Sequence, residues 1–381
     1  MTGSADEQGW GPVHALLPAP PVAATPAGAP GPPPERGTWA LSRQGLRTVI
    51  RLELRQRVRS SRWLLMLGLW FGTIAVIFGL TLAIIGGTED AGAYLFGAIA
   101  FLVLTLGMLV APALSATSIN GDRSSGTLAT LQMTLLSPAE IAFGKLLAAW
   151  GTALVFLGVG SPFLLVSLAL GGTSLPRAVV TLLMLSLILL TVCGIALGWS
   201  ALTARLASSA VLTYLSVAFL CLGTLVFFGL SVPLVQTEDE VQVLQTPAGY
   251  DYGSSTPLPR SDCEIVTAVR SRTHTEYTWW LLAANPYVVV ADAAPRNPDS
   301  EDVLSLIGLG ARAARDGARG PVDECFAAVP SSDEVLDEPT SAPVWPIGLA
   351  LNLLLGGLGL TVAVLRLRTP VGTLPRGTRI A

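Results

Sequence analysis

Six long apolar runs leave this chain few folds to choose from. A helix needs roughly 20 apolar residues to cross a bilayer core of about 30 Å. Six runs reach that length, at 63–86, 93–117, 142–170, 178–203, 209–234 and 344–365. Apart from Lys145, near the start of the third, they contain no Asp, Glu, Arg, Lys or His. A charge at the bilayer centre costs about 2.5 kcal/mol or more, so uncharged runs are what lipid selects. Only 13% of the residues are charged, about half the share in a soluble domain. Backbone polar groups in hydrocarbon must be satisfied within the segment, which makes the runs helices. The expected fold is an all-α polytopic membrane protein with six transmembrane helices and a large extracytoplasmic segment between spans five and six.

Arginines near the span ends orient the chain. Arg43, Arg47, Arg51, Arg55, Arg57, Arg59 and Arg62 precede the first span, and Arg366, Arg368, Arg376 and Arg379 follow the last. Six spans place both ends of the sequence on one side, which the rule makes the cytoplasm. The first outer turn, with Glu89 and Asp90, has no basic residue. Arg123 and Arg205 then fall inside, and Arg177 falls outside as an exception. The expected location is the cell membrane, multi-pass. Lys145 is the one lysine beside twenty-two arginines, a bias read as that of a GC-rich genome.

Residues 1–38 are rich in Pro, Ala and Gly and read as a disordered cytoplasmic tail. They do not form a signal peptide, because the basic-then-apolar order comes only after residue 40. Residues 39–62 read as an amphipathic interfacial helix. Leu46, Ile50 and Leu54 repeat every four residues, with Leu41, Val49 and Val58 nearby, and Arg47, Arg51 and Arg55 repeat on another face. Such a helix lies in the headgroup layer with its arginines against lipid phosphates. Spans one to five then cover 63–234, span six covers 344–366, and a short cytoplasmic tail follows at 367–381.

The extracytoplasmic segment, 235–343, carries eighteen acids against seven arginines. It holds Cys263 and Cys325, which an oxidising exterior would join; the alternative is two free thiols. Cys193 and Cys221 lie within spans and read as small packing residues. The stretch 277–291 is apolar but broken at Asn285-Pro286. Its Trp279, Trp280 and Tyr287 suit a membrane interface, so it reads as a re-entrant or surface-lying element, or else as the core of a small outer domain.

Several chemistries find no support. A phosphate-binding loop needs upstream glycine, then Lys and Ser/Thr, and Gly144-Lys145 is followed by Leu146. The two histidines, His14 and His274, are far apart, with no H-E-x-x-H and no close Cys/His cluster. A metal site or a Ser/His hydrolase would need such groups, and a proton-coupled carrier would place an ionisable group at mid-membrane. No catalytic residue, metal or bound cofactor is expected in this chain.

The polar insert between spans two and three is the remaining place for function. Gly126 can end a turn, and Thr127 to Leu136 can form a short helix with Leu128, Leu131 and Leu135 on one face. Ser137-Pro138-Ala139-Glu140 is a capping box with proline at the first helical position, and it starts a helix that runs through Lys145 into span three. These residues resemble the coupling segment of ABC-2 type permeases: Ser118-Ile119, Asp122-Arg123, Gly126-Thr127-Leu128, Leu136-Ser137-Pro138 and Gly144-Lys145. That family more often has Glu in place of Asp122. The resemblance covers roughly residues 40–235 and 344–366, and includes the basic helix before span one.

The resemblance implies the membrane subunit of an ATP-binding cassette exporter. Two permease chains, alike or different, would pair with two cytoplasmic ATPase subunits, which hold the ATP and Mg. Segment 118–140, around Asp122, Arg123, Gly126, Thr127, Leu128, Leu131 and Leu135, would sit in a groove of the ATPase. The helix over 39–62 would be the family's elbow helix, and 277–291 would match its re-entrant helices. The rival reading is a membrane-anchored assembly or sensor protein that uses its acidic outer segment.

Overall fold

The computed structural model describes residues 37–58, 61–88, 90–132, 134–171, 173–250, 262–295, 302–317, 322–325 and 342–368. The expected tails lie outside these residues, except for Gly37, Thr38, Leu367 and Arg368. Helix α1 (Arg43–Val58) comes first. α2 (Ser61–Ile85) and α3 (Ala91–Ser115) follow. After a bend, α3 leads into α4 (Ser118–Ser124), and α5 (Thr127–Gln132) completes the insert. α6 (Pro138–Ala169) and α7 (Leu175–Leu202) run without interruption. α8 (Leu206–Ala218) and α9 (Thr224–Ser231) are joined by a π turn at Phe219–Gly223. Beyond them lie α10 (Trp279–Ala283), α11 (Pro286–Ala293), α12 (Val303–Asp316) and α13 (Trp345–Leu367).

Six of these helical stretches are long and apolar enough to cross a membrane: α2, α3–α4, α6, α7, α8–α9 and α13. The chain is a polytopic helical membrane protein. α3 and α7 are the most enclosed of the six and α2 the least. α2 leaves Leu64, Leu65, Leu69 and Ile84 exposed, an apolar surface that suits lipid rather than water.

Helices can approach closely in lipid only where side chains are small. α7 and α13 meet on such a seam. A Cβ on Gly194 would stand 2.6 Å from the Gly356 carbonyl oxygen, and one on Gly198 2.6 Å from the Gly359 Cα. Elsewhere the core interleaves apolar side chains, with Trp63 and Trp70 edge-on to Phe156 at 5.2 and 5.0 Å.

α6 starts at Pro138, as the capping box predicts, and runs through Glu140 and Lys145 into the third span. One expectation about the spans needs correction: the fourth does not begin at residue 178, since α7 begins at Leu175 and takes in Arg177. Both basic residues are almost wholly buried, at 1% exposure each. They are tolerated because each is paired.

The all-α expectation also fails in part. β1 (Gln236–Gln245) and β2 (Glu264–Thr273) pair antiparallel, and β3 (Val322–Glu324) adds to β1 in parallel. Val241 and Val243 point inward while Glu240 and Gln242 face out, an alternation of period two. Only two valines mark it, amid acids, so the strand signal is weak in the sequence. Cys263 and Cys325 are joined by a disulfide, Cα to Cα 6.2 Å. They sit one residue from β2 and β3 respectively, so the bond ties the two outer strands together at the end of β1.

The 277–291 stretch forms two short helices broken at Asn285, which accepts a hydrogen bond from the Tyr287 amide. Asn285 Nδ2 donates to the Cys221 carbonyl at 2.8 Å, in the π turn of span five, and to Thr224 Oγ1 at 3.0 Å. Asn352 of α13 donates to the Ala284 carbonyl, and Tyr287 shares a hydrogen bond with Thr105 of α3. Tyr287 thus turns inward and Trp280 outward, while Trp279 lies under the Arg315 guanidinium at 4.7 Å.

Candidate functional site: the α4–α5 insert

The insert begins where α3 ends. Thr117 supplies no side-chain cap to α4, so the first amides of that helix need acceptors from elsewhere. Ser200 of α7 provides them: its Oγ accepts from Ile119 N at 3.0 Å and Asn120 N at 3.2 Å, and donates to Asn120 Oδ1 at 3.2 Å. Asn120 Nδ2 reaches the Arg205 carbonyl, and Ser209 of α8 donates to the Ala116 carbonyl. α4 is therefore bolted to α7 and to the start of α8.

Gly126, at φ +73°, turns the chain between α4 and α5, a conformation that favours glycine. α5 is six residues long, shorter than the helix expected through Leu136. Leu128 is buried, Leu131 packs against the core, and Leu135 is 71% exposed beyond the end of α5. The three leucines do not share one face. Ser137 must be extended to cap α6, with Pro138 next, and a residue before proline is pushed out of the helical region. Thr134 and Leu135 lie in a bend ahead of this junction, so Leu135 falls outside the helix. Gln132 Nε2 donates to the Leu367 carbonyl at 3.0 Å, which ties α5 to the end of α13.

The capping box is complete. Ser137 Oγ accepts from Glu140 N, and Glu140 accepts from Ser137 N at 2.9 Å. Glu140 also accepts from Ser42 N at 2.8 Å, and Ser137 Oγ donates to the Ala40 carbonyl at 2.5 Å. The box thus anchors the start of α1 as well as capping α6.

α1 lies along α6 through the stripe Gly45, Val49, Glu53 and Arg57, not through Leu46, Ile50 and Leu54, which are half-buried. Gly45 faces Glu140, Val49 faces Gly144, and Glu53 meets Lys145 at 2.5 Å. Arg57 donates to the Leu114 carbonyl at 2.8 Å and lies 3.9 Å from Glu53. Burial lowers the Arg57 pKa from its ordinary value, and the Glu53 charge opposes that shift. Arg47, Arg51 and Arg55 are exposed on the opposite side, where Thr48, Arg51, Leu52, Arg55 and Gln56 line an open groove.

Asp122 turns inward: its Oδ2 lies 2.6 Å from Lys145 Nζ. Arg123 is half-buried and stands near enough to Arg366 for their like charges to interact. Among the described residues no acid pairs with it. Ser124, Ser125, Gly126, Thr127, Thr130 and Leu135 are exposed. Sequence reasoning missed Glu53 and Ser200, and it named Lys145 only as part of the Gly144-Lys145 motif, without its partners. A signal existed for Glu53 and Lys145, because Glu53 falls in the four-residue stripe that starts at Gly45, and Lys145 is the sole lysine.

These features define a multi-pass helical membrane protein with a short two-helix insert fastened to several spans. No protein-family model matches the sequence, and no curated protein matches it.

Proposed function

We propose that this chain is the membrane-spanning permease subunit of an ABC-2 type ATP-binding cassette transporter, an exporter, with α4–α5 as the docking surface for a separate ATPase subunit. A second permease chain, identical or related, completes the assembly. ATP and Mg belong to the partner. The chain itself performs no chemistry; it shifts between inward- and outward-facing states as the partner binds and hydrolyses ATP. Both ends of the sequence lie in the cytoplasm in this reading.

One observation carries it. α4–α5 is joined by side-chain hydrogen bonds or ion pairs to α6, α7, the Arg205 carbonyl just before α8, and α13, yet Thr127, Thr130 and an acid-free Arg123 lie at its edge, with exposed Leu135 just beyond it. A loop that merely connected two spans would not need those ties. A lever needs both a grip on the spans and a free face.

The test is affinity purification of the full chain from its native membrane in mild detergent, assayed for a vanadate-sensitive ATPase. The expected result is a co-purifying ATPase that Leu135→Asp reduces at least about tenfold, as loss of an interface anchor does, with insertion unchanged. Clean recovery with no ATPase even after cross-linking would move the assignment to a membrane-anchored assembly or sensor protein.

A further inference from the structure

Lys145 sits where three elements meet. Its ammonium has three N–H donors, and three acceptors surround it: Glu53 Oε1 on α1 at 2.5 Å, Asp122 Oδ2 on α4 at 2.6 Å and the Ser118 carbonyl at 3.2 Å. Glu53 in turn faces Arg57, whose guanidinium reaches the Leu114 carbonyl near the end of α3 and Thr152 Oγ1 of α6 at 3.5 Å. Two cations and two acids alternate from α4 through α6 to α1, so the cluster is formally neutral. We infer that Lys145 is the joint through which movement of α4–α5 reaches α1 and α6, a positioning residue for the transport cycle. This rests on the function proposed above.

The physical argument is one of steepness. Apolar contacts such as those of Leu128 and Leu131 are non-directional and let surfaces slide with gradual loss of energy. A short, charge-assisted hydrogen bond in a low-dielectric setting is strong and directional. Pulling Asp122 away leaves an ammonium that is 1% exposed short of one partner, and a buried charge without its partner is costly. α4 must therefore move together with α6 and α1 or break the cluster outright. Such an element has two discrete arrangements rather than a continuum, which is what carries coupling between sites. The elbow helix α1 would then follow the insert through one shared cation, with no contact to the docking surface.

A purely stabilising role makes a different forecast, so amide hydrogen exchange of the full chain in detergent separates them. Glu53→Gln, on α1, should raise exchange in residues 118–132 by about tenfold, the scale expected within one interaction network. Asp122→Asn, on α4, should raise exchange in residues 43–58 in the same way. Both cross-effects should vanish in a Lys145→Met background. To guard against misfolding, the neutral quadruple variant Lys145→Met/Glu53→Gln/Asp122→Asn/Arg57→Met leaves no charge of the cluster stranded; it should insert normally and show the two segments exchanging independently. Cross-effects that are absent, or that persist without Lys145, would overturn the joint. This result does not depend on the ATPase. A wild-type chain with no ATPase partner but intact cross-effects would sink the transporter reading and leave the mechanical link standing.

Discussion

The two ends of the spanning bundle each bury one basic residue near the start of a helix, and they use it differently. At the α4–α5 end, Lys145 engages acids from two separate elements, with every donor satisfied. At the opposite end, Arg177 of α7 grips one acid, Asp302, with Nη2 at 2.7 and 2.6 Å from the two carboxylate oxygens, and donates to Ser305 Oγ at 3.2 Å. Asp302 also caps α12 by accepting from Leu304 N. The Lys145 cluster distributes its charge over α1, α4 and α6; the Arg177 pair is a single latch that pins α12 to the spans. A neighbouring acid, Asp292, accepts from Val344 N, Trp345 N and Arg312, and so seats the start of α13. In the proposed transport cycle, a distributed network would suit the end that moves, and single latches the end that is held.

The largest effect that would break this comparison is at the latch. Asp302→Ala leaves Arg177 buried without its acid, and should cost about 3–5 kcal/mol, seen as a fall in the thermal midpoint of the purified chain. The double variant Arg177→Met/Asp302→Leu removes both charges and should recover most of that loss. If Asp302→Ala is harmless, the latch is not what holds α12.

Next comes the disulfide. It closes a 62-residue separation between Cys263 and Cys325, for which chain entropy gives about 4 kcal/mol at most. Cys263→Ala/Cys325→Ala should loosen β1–β3, read as faster amide exchange in residues 236–245, and leave exchange in α4–α5 as it was. Equal loosening at both ends would mean that the two ends are not independent.

The smallest effect is a pH dependence confined to the same end. Hydrogen bonds to Glu276 and to Asp239 raise the His274 pKa above its usual value. The contacts are 2.7 Å from Nδ1 to Glu276 and 2.8 Å from Nε2 to Asp239, and the ring stacks on Tyr277. A raised folded-state pKa adds stability that is fully present below about pH 6.5, the unfolded value, and is lost as pH rises through the folded value. Protection of β1 and β2, corrected for intrinsic exchange, should therefore be greater at about pH 6 than at about pH 9, with the difference gone in His274→Gln. The Lys145 end should not follow this profile.

Much of the fold was legible because its signals are local. A long apolar run must be a helix in lipid, and the Ser137-Pro138-Ala139-Glu140 box needs only four neighbouring residues to start α6. Gly126 marked its turn for the same reason. The site was less legible. Asp122 read as a residue facing a partner, but it turns toward Lys145, and nothing within a few residues of either reveals that. Leu135 kept its helical spacing from Leu131 on paper, yet α5 stops short of it. Lys145 itself looked like a compositional accident until Glu53, 92 residues away in sequence, was placed beside it.

The sequence by itself determined the six long helices, the capping box that starts α6 and the membrane as solvent, since each follows from residues close together in the chain and from the absence of water to satisfy a bare backbone. Only the tertiary structure decided which leucines of the insert are buried, which acid each buried cation holds, and that the stripe of α1 against α6 is Gly45, Val49, Glu53 and Arg57. Those outcomes depend on which surfaces meet, and a buried charge is settled by the partner that packing brings within hydrogen-bond reach, not by its neighbours in the chain.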